Sequence, residues 1–457
     1  MTIAASARLA AGPRPSSIPG SFAVVLLGFA ALHVAMVAYD LGHPERFLNA
    51  DRAEVRLRAI EGFAQAWQTG AAIGPYLTTH GIPGDWLPQA FLYLAGGPLA
   101  VILVQVLLAL ASLVWVREIG LRLALPESKA SAAAVLYGLL PHTLVFPHQL
   151  ASEAMFIPLV VLSFALVMRG VSAPRHAAAG LAMGLAVLVR PITLAWPPIH
   201  ALFVWRVRLA ARLAYLVAGL LPLGLWMLFI FSQTQQISMG PSKHDLGYNL
   251  HKRVQRMAPS LPPAERFAGR ERLSVGEYAR FVLSHPDAAI AHAGRDMMAL
   301  GLKSGIERVV IDYLDLYPGA RALQDPAAGW RKSVEQNGVV EALRRLAQEN
   351  PGPLVASLGG AALFLVFMAL ALLGAYVFLR TGRWMLVIFV LYVLATATVV
   401  DRAQSRHRAP AEFALCLLAV TGFWALQGRR TAAWQRRQGP SKRRAYHEPF
   451  EPTLDGR

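Results

Sequence analysis

Apolar residues in this chain gather into long unbroken runs instead of the half-polar stripes of a soluble helix. The runs at 21–39, 98–116, 131–146, 153–168, 212–232, 354–379, 384–400 and 411–427 approach the roughly 20 residues that a helix needs to cross a bilayer. Two shorter ones, 177–189 and 191–205, form a pair interrupted by Arg190 and Pro191. The pattern predicts an all-α polytopic membrane protein of about ten transmembrane helices. Between the first two runs, 51–68 places Val55, Leu57, Ile60, Phe63, Ala64 and Trp67 at nearly helical spacing, which predicts an amphipathic helix lying along the membrane surface. The stretch "WLPQAFLYLA" (86–95) is too short to span and reads as a second interfacial piece.

Charge then orients the helices. With the N-terminus in the cytoplasm, every short loop assigned to that side is basic: Arg117, Arg122 and Lys129; Arg169 and Arg175; Arg206, Arg208 and Arg212; Arg380 and Arg383; and the tail beyond Arg429. The same distribution explains the formal charge of +17 without nucleic acid, because the cations sit between apolar runs and do not form a binding stripe. The expected domains are a cytoplasmic segment 1–20, a membrane module 21–233 with its first outer loop at 41–97, and an outer domain 234–352. Closing helices at 353–428 and a basic, unstructured cytoplasmic tail at 429–457 complete the chain. The outer domain is expected to be mostly helical, with helices in 274–305 and 333–350. The first run is long enough to span and lacks a small-residue cleavage site, so it reads as a retained helix. The single cysteine, Cys416, excludes an intramolecular disulfide and a cysteine metal site.

Four polar groups fall on the outer side in this topology: Asp51 in "LNADRAEV", the tip "PHQLASEAM" with His148 and Glu153, Arg190 in "LVRPITL", and Arg406, His407 and Arg408 in "DRAQSRHRAP". Ionisable groups at the membrane boundary are costly, and they face a cavity or one another. A carboxylate there can take a proton from a hydroxyl, and arginines are natural clamps for phosphate. Each also has a plainer reading. Asp51 caps the helix that follows it, Glu153 faces water, Arg190 snorkels, and Arg406 and Arg408 meet lipid headgroups. His148 and His407 read as interfacial histidines, with substrate or metal contact as the alternative.

"HQLASEAMF" followed by "AGLAMGLAVLVRPITLAWPP" resembles the GT-C class of integral-membrane glycosyltransferases. Within it, the likeness is to the bacterial family of protein O-mannosyltransferase and aminoarabinose transferase type. The matches are Ser152–Glu153 opening the fourth helix, Leu188, Arg190 and Pro191 near the end of the fifth, and Arg406, Arg408 and Pro410 before the last. "HDLGYNL" (244–250) is similar to a segment that follows the family's seventh helix. Relatives often carry adjacent acids in the first loop, whereas here Asp51 is followed by Arg52.

The resemblance implies a polyprenyl-phosphate-linked sugar as donor, a hydroxyl acceptor, membrane lipid as the surroundings, and inversion at the anomeric carbon. It implies Asp51 as general base, Arg190, Arg406 and Arg408 on the lipid phosphate, and Glu153 orienting sugar, acceptor or a divalent cation. Asp85 ranks behind Asp51. No cofactor follows beyond that optional divalent metal cation. The implied location is the bacterial cytoplasmic (inner) membrane with both termini inside. A transporter or flippase, and a polymerase or ligase of lipid-linked saccharides, would use the same arginines. The absence of an internal repeat weighs against the first.

Overall fold

The computed structural model describes residues 19–48, 53–74, 77, 82–203, 207–235, 246–257, 272–306, 308–314, 351–400 and 405–437, with 341, 344, 347 and 348. Among the described residues every regular element is helical. Five helices are long and apolar enough to cross a membrane, or six if the bent pair Glu127–Gly138 and Pro141–His148 forms one span.

The chain runs through α1 (Gly20–Gly42), α2 (Ala53–Thr69), α3 (Leu87–Arg122), α4 (Glu127–Gly138) and a short α5 (Pro141–Val145). Next come α6 (Glu153–Met168), α7 (Ala173–Val189), α8 (Trp196–Phe203) and α9 (Leu209–Thr234). After α9 come α10 (Leu246–Met257), α11 (Val275–Ser284) and α12 (Pro286–Leu302). The chain then closes with α13 (Pro351–Arg380), α14 (Trp384–Val400), a four-residue α15 (Ser405–Arg408) and α16 (Glu412–Arg437).

Local chemistry explains most boundaries. Gly97 takes φ +65 beside Gly96 and ahead of Pro98, so α3 kinks there into a short first piece and a long apolar helix. α7 stops at Arg190 (φ −147, ψ 119) because the following Pro191 disfavours the helical region for its predecessor. The expected helix 131–146 is instead two: α4 ends at Gly138, and Pro141 restarts the chain at an angle of 65°. Similarly, His285 and Pro286 divide 274–305 into α11 and α12. The expected helix 333–350 lies largely outside the described residues. The basic stretch after 428 continues α16 as far as Arg437, where an unstructured tail was expected.

α2 is helical as expected, and part of its apolar side packs on protein, while Val55 and Trp67 stay 49% and 55% exposed. Ile60, Phe63 and Ala59 are buried against Trp86, Ala90, Val101 and Ile102. Outward-facing apolar side chains are plentiful elsewhere, including Leu27 on α1, Leu228 on α9 and Leu363 on α13 (70%, 63% and 72% exposed). Such a surface marks a lipid-facing belt. Inside it, α4, α6, α14 and the first turns of α16 form the main core with Phe156, Phe164, Phe389 and Phe413.

Candidate functional site

The tip between α5 and α6 is the centre of the site, and it is buried. Residues Pro147 to Glu153 are at most 4% exposed for the polar members His148, Gln149, Ser152 and Glu153. A buried loop must satisfy its backbone groups, and neighbouring backbone and side chains do so here. Leu150 N–H donates to Phe47 O (2.8 Å), and Gln89 Nε2 donates to Ala151 O (3.2 Å). With its amide oriented to suit its neighbours, Gln105 donates to Pro147 O and Gln149 O (3.0 and 3.1 Å) and accepts from Gln89 (2.9 Å). These two glutamines on α3 let the chain turn inside the protein.

Glu153 opens α6, where the helix N-terminus favours a negative charge. One carboxylate oxygen pairs with Arg190 Nη1, and the other accepts from Ser152 Oγ (3.1 Å). Burial works against a carboxylate here; the fields of Arg190, Arg406 and Arg56 oppose that penalty. Arg56, on α2, ties the cluster together. Its Nε donates to Asp85 Oδ1 (2.8 Å), its Nη1 to Leu150 O and its Nη2 to Ser152 Oγ (both 3.3 Å).

The turn carrying Asp85 is pressed onto the end of α7. A Cβ on Gly84 would lie 2.5 Å from Leu188 C and O, so only glycine permits the approach. The same turn therefore sits beside the peptide units that lead into Arg190. α7 is in turn fixed by close backbone packing on α9, where a Cβ on Gly184 would fall 2.5 Å from Gly219 O.

The structure thus joins Glu153, Arg190 and Asp85 into one cluster, with Arg406 close enough to act on Glu153. Among the described residues this cluster holds the guanidinium groups of Arg56, Arg190 and Arg406 against the carboxylates of Glu153 and Asp85. It is not sealed: the side chains of Arg190 and Asp85 are 22% and 33% exposed. Asp51 lies outside the described residues, shortly before the first residue of α2.

Arg408 and His148 go elsewhere. Arg408 is fully buried; it donates to Leu300 O, to Lys303 O (3.0 Å) and to Glu412 Oε1 (3.3 Å), and it stacks over Phe364 at 3.8 Å. Glu412 also meets His142 Nδ1 at 2.9 Å. His148 Nδ1 donates to Asp40 Oδ2 (2.6 Å), while its Nε2 shares a hydrogen bond with His33 Nδ1 (2.9 Å). Tyr313 donates to Asp40 Oδ1 (2.7 Å), and burial together with that bond pushes its phenol well above the ordinary range. His407 is buried on α15. Among the described residues no three His, Cys, Asp or Glu side chains are placed to hold a metal ion.

A cavity of about 20 Å³, room for one water, lies between the clusters, lined by Ser112, Tyr137, His142, Thr143 and Glu153 among others. Sequence reasoning missed Arg56, Gln89 and Gln105. Arg56 was one of several arginines in an outer loop; its partners are 29 to 96 positions away. The two glutamines carried a signal, since each is an amide inside an apolar run. No family model matches this chain, and no curated protein or solved structure matches it either.

Proposed function

We propose that the chain is a membrane glycosyltransferase. It moves a sugar from a polyprenyl-phosphate carrier to a hydroxyl acceptor at the outer face of a bacterial cytoplasmic membrane, in a ten-span topology with both termini inside. The observation that carries this reading is Arg190 at a part-open site, where among the described residues its guanidinium bonds one side chain, Glu153, and is 22% exposed; a guanidinium so presented suits a phosphate.

In this reaction Asp51 takes the proton of the acceptor hydroxyl. The hydroxyl oxygen attacks the anomeric carbon from the face opposite the phosphate, and the bond from that carbon to the phosphate oxygen breaks. The electron pair leaves with the lipid phosphate, and the configuration inverts. Arg190 and Arg406, with Arg56 behind them, hold the charge that develops on the leaving oxygen. Glu153 fixes Arg190 and presents its remaining donors. Arg408 belongs outside the clamp, because its donors are bound to Leu300, Lys303 and Glu412.

The test is transfer from radiolabelled polyprenyl-phosphate sugars to membrane acceptors by reconstituted protein. Asp51→Asn should abolish transfer while donor binding persists; a wild-type rate removes Asp51 as the base. Movement of the labelled lipid between leaflets with no glycosidic product would put a transporter in place of the enzyme.

A further inference from the structure

We infer that α12 is an interfacial helix whose exposed stripe lies in the outer headgroup and acyl boundary of the bilayer, with lipid as its partner. This holds whether or not the protein is a transferase. On α12, His292 and Leu300 turn inward at 7% and 1% exposure. Ile290, Ala291, Gly294, Met297 and Met298 are exposed, at spacing that puts them on one helix face, with exposed Asp287 at the N-terminal end of that face. Ile290 and Met298 are 71% and 60% exposed, and Leu283 at the end of α11 is 79% exposed. A stripe this apolar is unfavourable in water.

Depth selects the occupant. α12 packs on α13 and α14, whose outward faces carry Leu358, Leu363 and Leu391 at 59%, 72% and 60% exposure. Beyond α12, the side chains of Ser304 and Ile306 lie against Gly360, where a Cβ would meet both. Gly360 is already inside the apolar span that begins at Leu354, about 9 Å along the helix at 1.5 Å per residue. Arg408 grips the end of α12 through Leu300 O and Lys303 O, at the start of the span Arg406–Gly428. The C-terminal end of α12 is therefore held at or below the membrane boundary. Exposed Arg295 and Lys303 flank the stripe and suit lipid phosphates.

The single cysteine makes the test direct, since Cys416 is buried. In a Cys416→Ala background, Ile290→Cys and Met298→Cys are labelled with an environment-sensitive fluorophore in lipid nanodiscs, with Gln255→Cys on α10 as the reference. Spin-labelled acyl chains should quench the α12 labels several-fold more than aqueous iodide does, and the reference should show the reverse. Quenching of the α12 labels by iodide alone would place the face in water and overturn the inference. Shielding from both quenchers would mean a protein cover and would overturn it as well.

Discussion

Two arginine–glutamate pairs stand at the starts of two apolar helices, and they have opposite characters. Glu153 opens α6 and pairs with Arg190; Glu412 opens α16 and pairs with Arg408. The second pair is closed, with side chains 0% and 2% exposed, and its arginine spends further donors on two backbone carbonyls. The first is part-open, and among the described residues Arg190 makes one side-chain bond, to Glu153. Arg56 and Arg406 add positive charge around it. An ion pair whose donors are all used holds structure together. One whose arginine keeps donors at a part-open surface suits the anion proposed here.

The largest expected effect is in the closed pair. Arg408→Ala leaves Glu412 buried with His142 alone and strips two carbonyls at the end of α12, a loss of about 3–5 kcal/mol. Thermal unfolding in detergent should show a collapse of folded protein, and Arg408→Met with Glu412→Leu should recover much of it. A single variant as stable as wild type would end the distinction between the pairs.

Arg190→Ala should do the reverse. Folding stays closer to wild type because Ser152, Arg56 and Arg406 still serve Glu153. Affinity for polyprenyl phosphate should fall about 10- to 100-fold, which is about 1.4–2.8 kcal/mol. Gly84→Ala comes next. Its Cβ would displace the turn from Leu188 and carry Asp85 away from α7, at about 1–3 kcal/mol of stability. Transfer should drop while the Arg408 pair is untouched, as hydrogen exchange across α12 and α16 would show.

The smallest effect belongs to a third ionic group, Arg253, Asp296 and His292 on α10 and α12. Burial, with Arg253 adding to it against the pull of Asp296, lowers the pKa of His292 below 6.5. The folded state thus prefers the neutral ring. Its contribution is fully present above pH 6.5 and is lost as pH falls through the lowered value. Hydrogen exchange in α10 and α12 should rise slightly over that range, and His292→Gln should flatten the dependence.

Much of this arrangement was legible because local rules set it. Pro191 stops α7 at Arg190, Gly96 and Gly97 divide α3 where 86–95 and 98–116 were expected to part, and Ser152–Glu153 opens α6. Long-range packing set the rest. The burial of the tip depends on Gln89 and Gln105. Arg406 and Arg408 share one short motif, yet one acts on Glu153 while the other is drawn to α12 and Glu412. Nothing in spacing or composition separates two arginines that lie so close on a single turn.

The central claim is that the Glu153 cluster binds the phosphate of a lipid carrier. Titration of polyprenyl phosphate and of uncharged polyprenol onto wild-type and Arg190→Ala protein in nanodiscs tests it most directly. Wild-type protein should prefer the phosphate at least tenfold, about 1.4 kcal/mol, and Arg190→Ala should erase most of that preference. Equal affinity for the two lipids, or a preference unchanged in the variant, would contradict it.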